Sequence, residues 1–311
     1  MKIAEYHSPV LFEECMDALV VNPDGVYADC TLGGGGHSEG ILKRLSAKGH
    51  LHSFDRDPEA IRYAGERLRP FASQVTFHPV PFGRLAVEVR TNSLYGILYD
   101  LGISSHQVDD DSRGFTFCGN HPVDLRMDLR ADFSAQDWLR TNSPEEMACA
   151  FKENADLDRA YKLSENIRGV LANVKSPVLP EHLRAAAEKT YPDRMRDMNG
   201  ILARIFQAIR MEVNGEMEEI RTSMRAAVEA LVKGGRLVVI SYHSVEDRTV
   251  KLVCAEFERD CVCPPASPVC TCGGNHRKLK KVFRKPVLPT EEEIRRNPRA
   301  RSAKLRVYEK V

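Results

Sequence analysis

Short apolar runs alternate with amphipathic segments near the start of the chain. The run "GVYADCTLG" has the length of a buried strand and ends at a glycine. The next segment, "HSEGILKRLSAKG", places Ile41, Leu42 and Leu45 on one helical face, with Ser38 as a candidate cap. "HLHSFDRDPEAIRYAGERL" repeats the pattern, with Pro58 where a first helical turn tolerates proline. The pattern predicts strand, helix, strand and helix in succession.

The same alternation returns further along the chain. "QVTFHPV" and "LYGILYDLG" predict a third and a fourth strand. "EMEEIRTSMRAAVEALVKGG" predicts an amphipathic helix closed by two glycines, and the strand "RLVVISY" follows it. Because strands that alternate with helices form parallel sheets, we predict an α/β protein with a mostly parallel, doubly wound sheet.

The spacing of these elements breaks once. About 135 residues separate Asp100, which ends the fourth predicted strand, from Arg236 at the start of the next, far more than a crossover needs. "SAQDWL" and "SPEEMACAF" in this stretch open with capping residues, and the second has the Ser-x-x-Glu spacing of a capping box. We therefore predict an all-helical subdomain, residues 107–213, inserted between residues 1–106 and 214–311 of the α/β domain.

The composition is that of a globular protein. Lys and Arg number 45 against 44 Asp and Glu, a net charge of +1 that leaves the partners open. No apolar run reaches the length of a membrane span. Nine cysteines, an odd number in a long chain, argue against a secreted disulfide framework. We expect a cytoplasmic protein without a membrane segment.

Four glycines, Gly33–Gly36, lie between the first strand and its helix. A phosphate-binding P-loop needs Gly-Lys-Ser/Thr at its end, and His37 and Ser38 stand there instead. The dinucleotide fingerprint G-x-G-x-x-G/A fits no register of this loop. A tight turn without a ligand is the remaining alternative, but four glycines cost backbone entropy at each position.

Two acidic residues narrow the choice of ligand. Asp29 ends the first strand and favours a cationic ligand, such as the ammonium and sulfonium of S-adenosylmethionine. Asp55 ends the second strand and suits ribose hydroxyls, which S-adenosylmethionine and NAD share. Asp55 therefore supports an adenosine ligand, while Asp29 and the missing fingerprint favour S-adenosylmethionine over NAD.

Longer blocks identify a family. "TLGGGGHSEGIL", "FDRDPEAI", "ILYDLGISSHQVDDDSRGFTF", "PVDLRMD", "IFQAIRMEVNGE", "GGRLVVISYHSVEDR" and "NPRARSAKLRVYEK" resemble, in the same order, the bacterial 16S ribosomal RNA cytosine-N4-methyltransferases. The resemblance runs from His7 to the C-terminus. It implies a class I Rossmann-like methyltransferase fold with S-adenosylmethionine as donor. It also implies a cytosine in the decoding region of 16S rRNA as acceptor, with the inserted helical domain recognising the RNA of the small ribosomal subunit.

The resemblance also implies site residues. Carried over by position, donor contacts fall on Gly35, Gly36, His37, Asp55, Phe82, Asp100 and Gln107. Phe82 packs on the adenine face or lies in the core. Asp100 holds the ammonium of the donor, the target amine or both. Gln107 binds the donor or caps the turn in "SSHQVDD".

Asp100 and His243 are the candidate catalytic residues. Methyl transfer to a cytosine amine benefits from an acceptor that localises the nitrogen lone pair. DNA amino-methyltransferases often have Asn/Asp/Ser-Pro-Pro-aromatic after strand four, whereas this chain has "DLGISS", which leaves the means of holding the base open. In "SYHSVEDR", Ser244 with Asp247 caps the following helix. His243 either contacts the cytosine, relays a proton or has a structural role.

Two further segments carry candidate chemistry. The basic run "HRKLKKVFRK" is interpreted as an RNA phosphate contact rather than a solvated tail. The segment "CVCPPASPVCTC" leaves two alternatives open, a tetrahedral zinc site and reduced loop thiols. Its cysteines are Cys261, Cys263, Cys270 and Cys272. The resemblance implies no metal, and no metal ligand is assigned.

Two other functions compete with RNA methylation. An NAD-type oxidoreductase would share the general fold, but this chain lacks the dinucleotide fingerprint of that class. A non-catalytic RNA-binding factor in ribosome assembly would keep the fold without turnover.

Overall fold

The computed structural model describes residues 9–175, 177–264 and 269–311. The chain divides into two compact units. Unit 1 joins the chain up to Gly102 to Met217–Val311, and unit 2 is Ile103–Glu216. The predicted insertion, residues 107–213, falls inside unit 2. No helix within the described ranges is both long and apolar enough to cross a membrane.

Unit 1 is built on one sheet, which has seven strands in the described part of the chain. The strands are β1 Val26–Asp29, β2 His50–Phe54, β3 Val75–His78, β4 Leu94–Asp100, β5 Leu231–Ser241, β6 Leu279–Lys281 and β7 Lys304–Lys310. Their order is β3-β2-β1-β4-β5-β7-β6. The first five pair in parallel, and β7 runs antiparallel to β5 and β6. The predicted parallel, doubly wound sheet is confirmed.

The strand order reverses between β1 and β4. In open α/β sheets the carboxyl ends of strands at such a reversal form the ligand crevice. Asp29 ends β1 and Asp100 ends β4, on neighbouring strands. Tyr27 and Leu98 of these strands have no exposed surface, because the sheet is covered on its faces. The fold therefore brings polar strand ends together above an apolar core.

The helices follow the predicted alternation. They are α1 Phe12–Leu19, α2 Gly36–Arg44, α3 Pro58–Arg67, α4 Leu85–Glu88, α5 Ser105–Asp109, α6 Ala135–Thr141, α7 Pro144–Ala155, α8 Ala160–Leu171, α9 Pro180–Thr190, α10 Met198–Asn214, α11 Glu216–Ala230, α12 Ser244–Glu258 and α13 Glu291–Arg296. One boundary differs from prediction. The two glycines do not close α11, because the chain enters β5 at Leu231, which pairs with Leu94.

Unit 2 is helical around its own core. Helices α7 to α10 pack against one another, and α6 packs on α10. The Trp138 ring of α6 is buried and meets Phe151 of α7 edge-on, with ring centroids 6.0 Å apart. Ser143 and Glu146 form the predicted capping box at the start of α7. The capping signals of this unit, Ser134 and Ser143, therefore mark real helix starts.

Candidate functional site

The loop between β1 and α2 is fixed to β2 by hydrogen bonds. The Leu32 N–H donates to the Phe54 carbonyl oxygen at 3.0 Å, and the Gly33 N–H donates to Asp55 Oδ2 at 2.9 Å. Gly35, the N-cap of α2, has a φ of 74°, which favours glycine. The loop thus holds the N-terminus of α2 at the carboxyl edge of the sheet, where negative or polar ligand groups are favoured.

The glycines also make room for other parts of the protein. A Cβ added at Gly36 would lie 2.5 Å from Cγ of Pro9, inside van der Waals contact. A Cβ at Gly35 would lie 3.1 Å from Cβ of Ala64. The close approach that the glycine run predicts is therefore, in part, an approach of the chain to itself.

Asp29 is hydrogen-bonded to the loop and to the first turn of α2. Its Oδ1 accepts from the Thr31 N–H at 3.0 Å, and its Oδ2 accepts from the Ser38 hydroxyl at 2.7 Å. Ser38 is therefore not the cap of α2, because its hydroxyl turns inward and Gly35 occupies the cap position. Burial raises the pKa of Asp29, which has no exposed surface. Through these two bonds the buried Asp29 orders the loop, and its contact with a cationic ligand stays a prediction.

Asp55 lies just beyond β2, and each of its carboxylate oxygens accepts a hydrogen bond from a backbone N–H. Oδ2 accepts from the Gly33 N–H, and Oδ1 accepts from the Asp57 N–H at 2.9 Å. Burial raises the pKa of Asp55 to about 6, although these two N–H groups oppose the shift. The residue is only half-buried, and each oxygen keeps a second lone pair for a ligand. Its contact with ribose stays a prediction.

Three side chains, His37, Asp100 and Tyr242, form what we term the Asp100 cluster at the end of β4. The Tyr242 hydroxyl donates to Asp100 Oδ1 at 2.8 Å. His37 Nδ1 lies 3.4 Å from Asp100 Oδ2, and His37 Nε2 lies 3.2 Å from the Val10 carbonyl oxygen. A carbonyl oxygen only accepts, so Nε2 carries a proton. Since Nδ1 also faces an acceptor, this geometry favours the imidazolium form.

The pKa directions agree with that assignment. Burial on its own lowers the pKa of His37, but hydrogen bonds with Asp100 and Cys15 raise it well above its usual value. Burial raises the pKa of Tyr242, and the charge of Asp100 adds to the shift, so the phenol keeps its proton. The Asp100 side chain stays 24% exposed. The cluster therefore presents a carboxylate that is held on both sides and still accessible.

Tyr242 was not singled out in the sequence. Only its place in the sheet indicates a role in the site, because Ile240 of β5 pairs with Asp100 of β4. A residue just beyond that pair lies at the same sheet edge as the carboxylate. Strand register has to be known before such a neighbour can be recognised.

His243 is the N-cap of α12. Its Nδ1 accepts from the Glu246 N–H at 3.3 Å, and Glu246 Oε2 accepts from the His243 N–H at 3.3 Å. The expected cap of Ser244 with Asp247 is wrong, because the helix begins at Ser244 and Asp247 instead pairs with Arg306 at 2.6 Å. His243 thus has a structural role, and its contact with a cytosine stays a prediction.

Phe82 lies in a short 3-10 helix after β3 and is half-buried, outside the fully buried core. Its ring meets Tyr99 edge-on, with centroids 5.6 Å apart. The neighbouring Gly83 N–H donates to Glu219 Oε1 at 3.1 Å, and Glu219 also pairs with Arg56. Contact between Phe82 and an adenine stays a prediction.

Gln107 lies in unit 2, on α5. Its Oε1 accepts from the Ser104 N–H at 3.2 Å, and its own N–H donates to the Ser104 hydroxyl at 3.2 Å. These bonds match the turn-capping alternative. Its contact with the donor stays a prediction.

The basic run is part of the folded sheet edge rather than a solvated tail. Four of its cations pair with acids: Arg277 with Asp260, Lys278 with Glu229, Lys280 with Glu309 and Lys281 with Glu258. These pairs are partly exposed, so each contributes little to stability. Among the described residues, Arg284 and Lys285 of this run have no ion pair. RNA contact by the run stays a prediction.

The sheet and its loops define a class I Rossmann-like methyltransferase. The features that matter are the strand order with an antiparallel β7, the glycine loop after β1 and acids at the ends of β2 and β4.

Comparison with known proteins is more specific. The sequence profile of the MraW methylase family matches residues 4–311, and the chain belongs to this family. Ribosomal RNA small subunit methyltransferase H of Clostridioides difficile (strain 630) is 41% identical over 310 residues, covering 98% of this chain and 99% of the relative. The protein of the same name from Fusobacterium nucleatum subsp. nucleatum is 40% identical, covering 99% and 98%. An rRNA methylase structure from Streptococcus thermophilus has a TM-score of 0.43 at 11% identity, over 96% of this chain and 93% of its own.

The family is S-adenosylmethionine-dependent, so the predicted cofactor is confirmed. The contacts assigned to individual residues remain predictions.

Proposed function

We propose that this protein transfers the methyl group of S-adenosylmethionine to N4 of a cytosine in the decoding region of 16S rRNA. The names of its relatives support a small-subunit ribosomal RNA as substrate. The observation that carries the proposal is the Asp100 cluster, which presents an accessible carboxylate at the carboxyl edge of the sheet.

The residues present suit the donor. S-adenosylmethionine supplies an electrophilic methyl group on a sulfonium. The free lone pairs of Asp55 suit its two ribose hydroxyls, and the half-buried Phe82 offers a ring to the adenine. The backbone from Gly35 to His37, at the start of α2, suits the methionine carboxylate.

The acceptor needs help from the protein. The lone pair on the cytosine amine is delocalised into the ring, which makes the nitrogen a poor nucleophile. A hydrogen bond from this amine to Asp100 would localise the lone pair and direct it at the methyl group. The nitrogen–carbon bond forms as the carbon–sulfur bond breaks, and the nitrogen then loses a proton to solvent, directly or through Asp100. Orientation and fixed charges lower the barrier.

RNA binding involves both units in this proposal. A paired cytosine cannot present N4 in line, so the target nucleotide is exposed or flipped. Acids outnumber Lys and Arg in unit 2, so this unit would recognise the RNA by shape rather than by bulk charge. Arg284 and Lys285 of unit 1 would supply phosphate contacts.

The test uses small ribosomal subunits from cells that lack this methylation. We expect incubation with labelled S-adenosylmethionine, followed by nucleoside mass spectrometry, to yield N4-methylcytidine. Asp100→Asn should reduce the yield strongly. A different methylated nucleoside would refute the N4 assignment, and RNA binding without any methylation would favour an assembly factor instead.

The role of His243 needs a variant that keeps the helix cap. Asparagine is among the best N-cap residues, so His243→Asn should preserve α12 while removing the imidazole. The variant also removes the 2.9 Å contact of His243 Nε2 with the buried Glu246 Oε1, so the unfolding midpoint is measured alongside turnover. If His243 contacts the cytosine or relays a proton, turnover per folded molecule falls. Full turnover in this variant would leave His243 with its capping role alone.

A further inference from the structure

Four cysteine sulfurs meet in the loop between α12 and β6. The Sγ atoms of Cys261, Cys263, Cys270 and Cys272 all lie within 4.8 Å of one another. The separations of Cys261 from Cys270, of Cys270 from Cys272 and of Cys272 from Cys261 are each 3.6 Å. Four sulfurs bound at 2.3 Å to one tetrahedral zinc ion would be about 3.8 Å apart. Three of the sulfurs therefore have nearly the spacing that a single zinc ion needs, and Cys263 Sγ lies within 4.8 Å of each of them.

Other uses of four thiols fit this spacing less well. A disulfide brings two sulfurs to about 2.05 Å, and all four cysteines here are free. An iron–sulfur cluster distributes its four cysteines over two or four irons bridged by sulfides, which places cysteines on different irons further apart than 3.6 Å. A tetrahedral site of four sulfurs around one ion is typical of structural zinc.

The backbone around the sulfurs is shaped to hold them. The Thr271 N–H donates to Cys263 Sγ at 3.2 Å, a bond that stabilises a thiolate. Directly after Cys272, the residues Gly273, Gly274 and Asn275 have φ values of 78°, 71° and 65°. This left-handed run turns the chain sharply back towards the loop base. Asparagine and glycine are the residues that accept such a turn at least cost.

The base of the loop is closed by two backbone hydrogen bonds. The His276 N–H donates to the Asp260 carbonyl oxygen at 3.1 Å, and the Lys278 N–H donates to the Phe257 carbonyl oxygen at 2.8 Å. Two ends of the loop are therefore anchored, on α12 and on β6. An ion among the sulfurs would fix the part that projects beyond these bonds.

Charge also favours a metal here. One zinc ion with four thiolates carries a net charge of −2, and the first cation of the basic run, Arg277, lies five positions after Cys272. Positive side chains near the site would offset the charge of the thiolates.

We propose that Cys261, Cys263, Cys270 and Cys272 bind one structural zinc ion. Binding converts four thiols to thiolates with release of their protons, and it contributes directly to the folding of the loop. The ion has a structural role and takes no part in methyl transfer, since none of its ligands belongs to the Asp100 cluster or to the glycine loop.

The test measures metal rather than activity. Protein purified without chelators or metal-affinity resin should contain about one zinc ion per chain by mass spectrometry of the elements. Cys261→Ser/Cys270→Ser should lose it. Cys118→Ser/Cys149→Ser is the matched control, because both residues are exposed and lie in unit 2, and it should keep the metal.

Cobalt gives a second readout that identifies the ligands. Refolding the full chain with one equivalent of Co²⁺ under reducing conditions should produce the visible absorption of a tetrahedral thiolate complex, which the double serine variant lacks. The proposal is overturned if the wild type holds no more zinc than that variant and shows no such cobalt spectrum. Intact protein mass would then separate free thiols from disulfides.

Discussion

Replacing Gly36 with alanine tests whether the glycine loop is shaped by the protein or by its ligand. The new Cβ would lie 2.5 Å from Cγ and 3.3 Å from Cδ of Pro9. Both atoms belong to a stiff ring, so the backbone has to shift. Overpacking of this kind costs about 1–3 kcal/mol. The greater helix propensity of alanine offsets about 0.5–1 kcal/mol of this loss of stability. The difference lies between about 0 and 2.5 kcal/mol, and we expect Gly36→Ala to destabilise unit 1 by roughly 1 kcal/mol, near the middle of that range.

Gly65→Ala is the matched control. Gly65 also lies in a helix of unit 1, and a Cβ there would have no neighbour within 4 Å. The free energy of unfolding of this variant should rise by up to about 1 kcal/mol, because alanine is the better helix former and the new methyl group displaces no neighbour. The two substitutions add the same methyl group and differ only in what it meets.

The assay is equilibrium urea unfolding by far-ultraviolet circular dichroism, without the donor. Fluorescence of Trp138, the single tryptophan, follows unit 2 in the same samples. Calorimetric titration with S-adenosylmethionine then measures donor affinity. The reasoning is refuted if Gly36→Ala unfolds at the wild-type midpoint and fails only in donor binding. In that case the glycine would serve the ligand and not Pro9.

Two further predictions concern the carboxylates of the site. Since burial raises the pKa of Asp55 to about 6 and ribose hydroxyls need the ionised form, donor affinity should be constant above that pH and fall as the pH drops through it. Asp55→Asn should bind roughly 10- to 150-fold more weakly with a flat pH profile, and a wild-type profile that is flat between pH 5 and 8 would contradict this. Tyr242→Phe removes the hydroxyl that donates to Asp100. It should lower turnover about tenfold or more with donor affinity nearly unchanged, and wild-type turnover would exclude Tyr242 from positioning Asp100.

The fold was predictable because its signals are local and repeated. Buried parallel strands read as apolar runs, helices read through their period, and both kinds of signal recur along the chain. The capping box at Ser143 and Glu146 marked α7 correctly, because both partners lie within one turn. The boundary at Leu231 was misplaced, since glycines that end a helix and glycines inside a strand look alike until the partner strand is known.

Parts of the site could not be predicted because its contacts depend on tertiary register. Serine is a common helix-capping residue, yet the hydroxyl of Ser38 donates to Asp29, nine positions earlier in the chain. His243 is a less usual cap, yet it takes that position on α12. In each case the backbone around the residue decides the role, and residue type supplies only a preference.

The Asp100 cluster shows why the chemistry of the site follows from the meeting of distant segments. Asp100 ends β4, Tyr242 follows β5, and His37 comes from the start of α2. Here a phenol donates to one oxygen of Asp100 and the His37 imidazole faces the other, so the carboxylate is fixed from two sides while part of it stays exposed. An acceptor of this kind is what a weakly nucleophilic amine requires. Loss of the Tyr242 hydroxyl should therefore affect turnover more than donor binding, since that hydroxyl acts on the target amine only through Asp100.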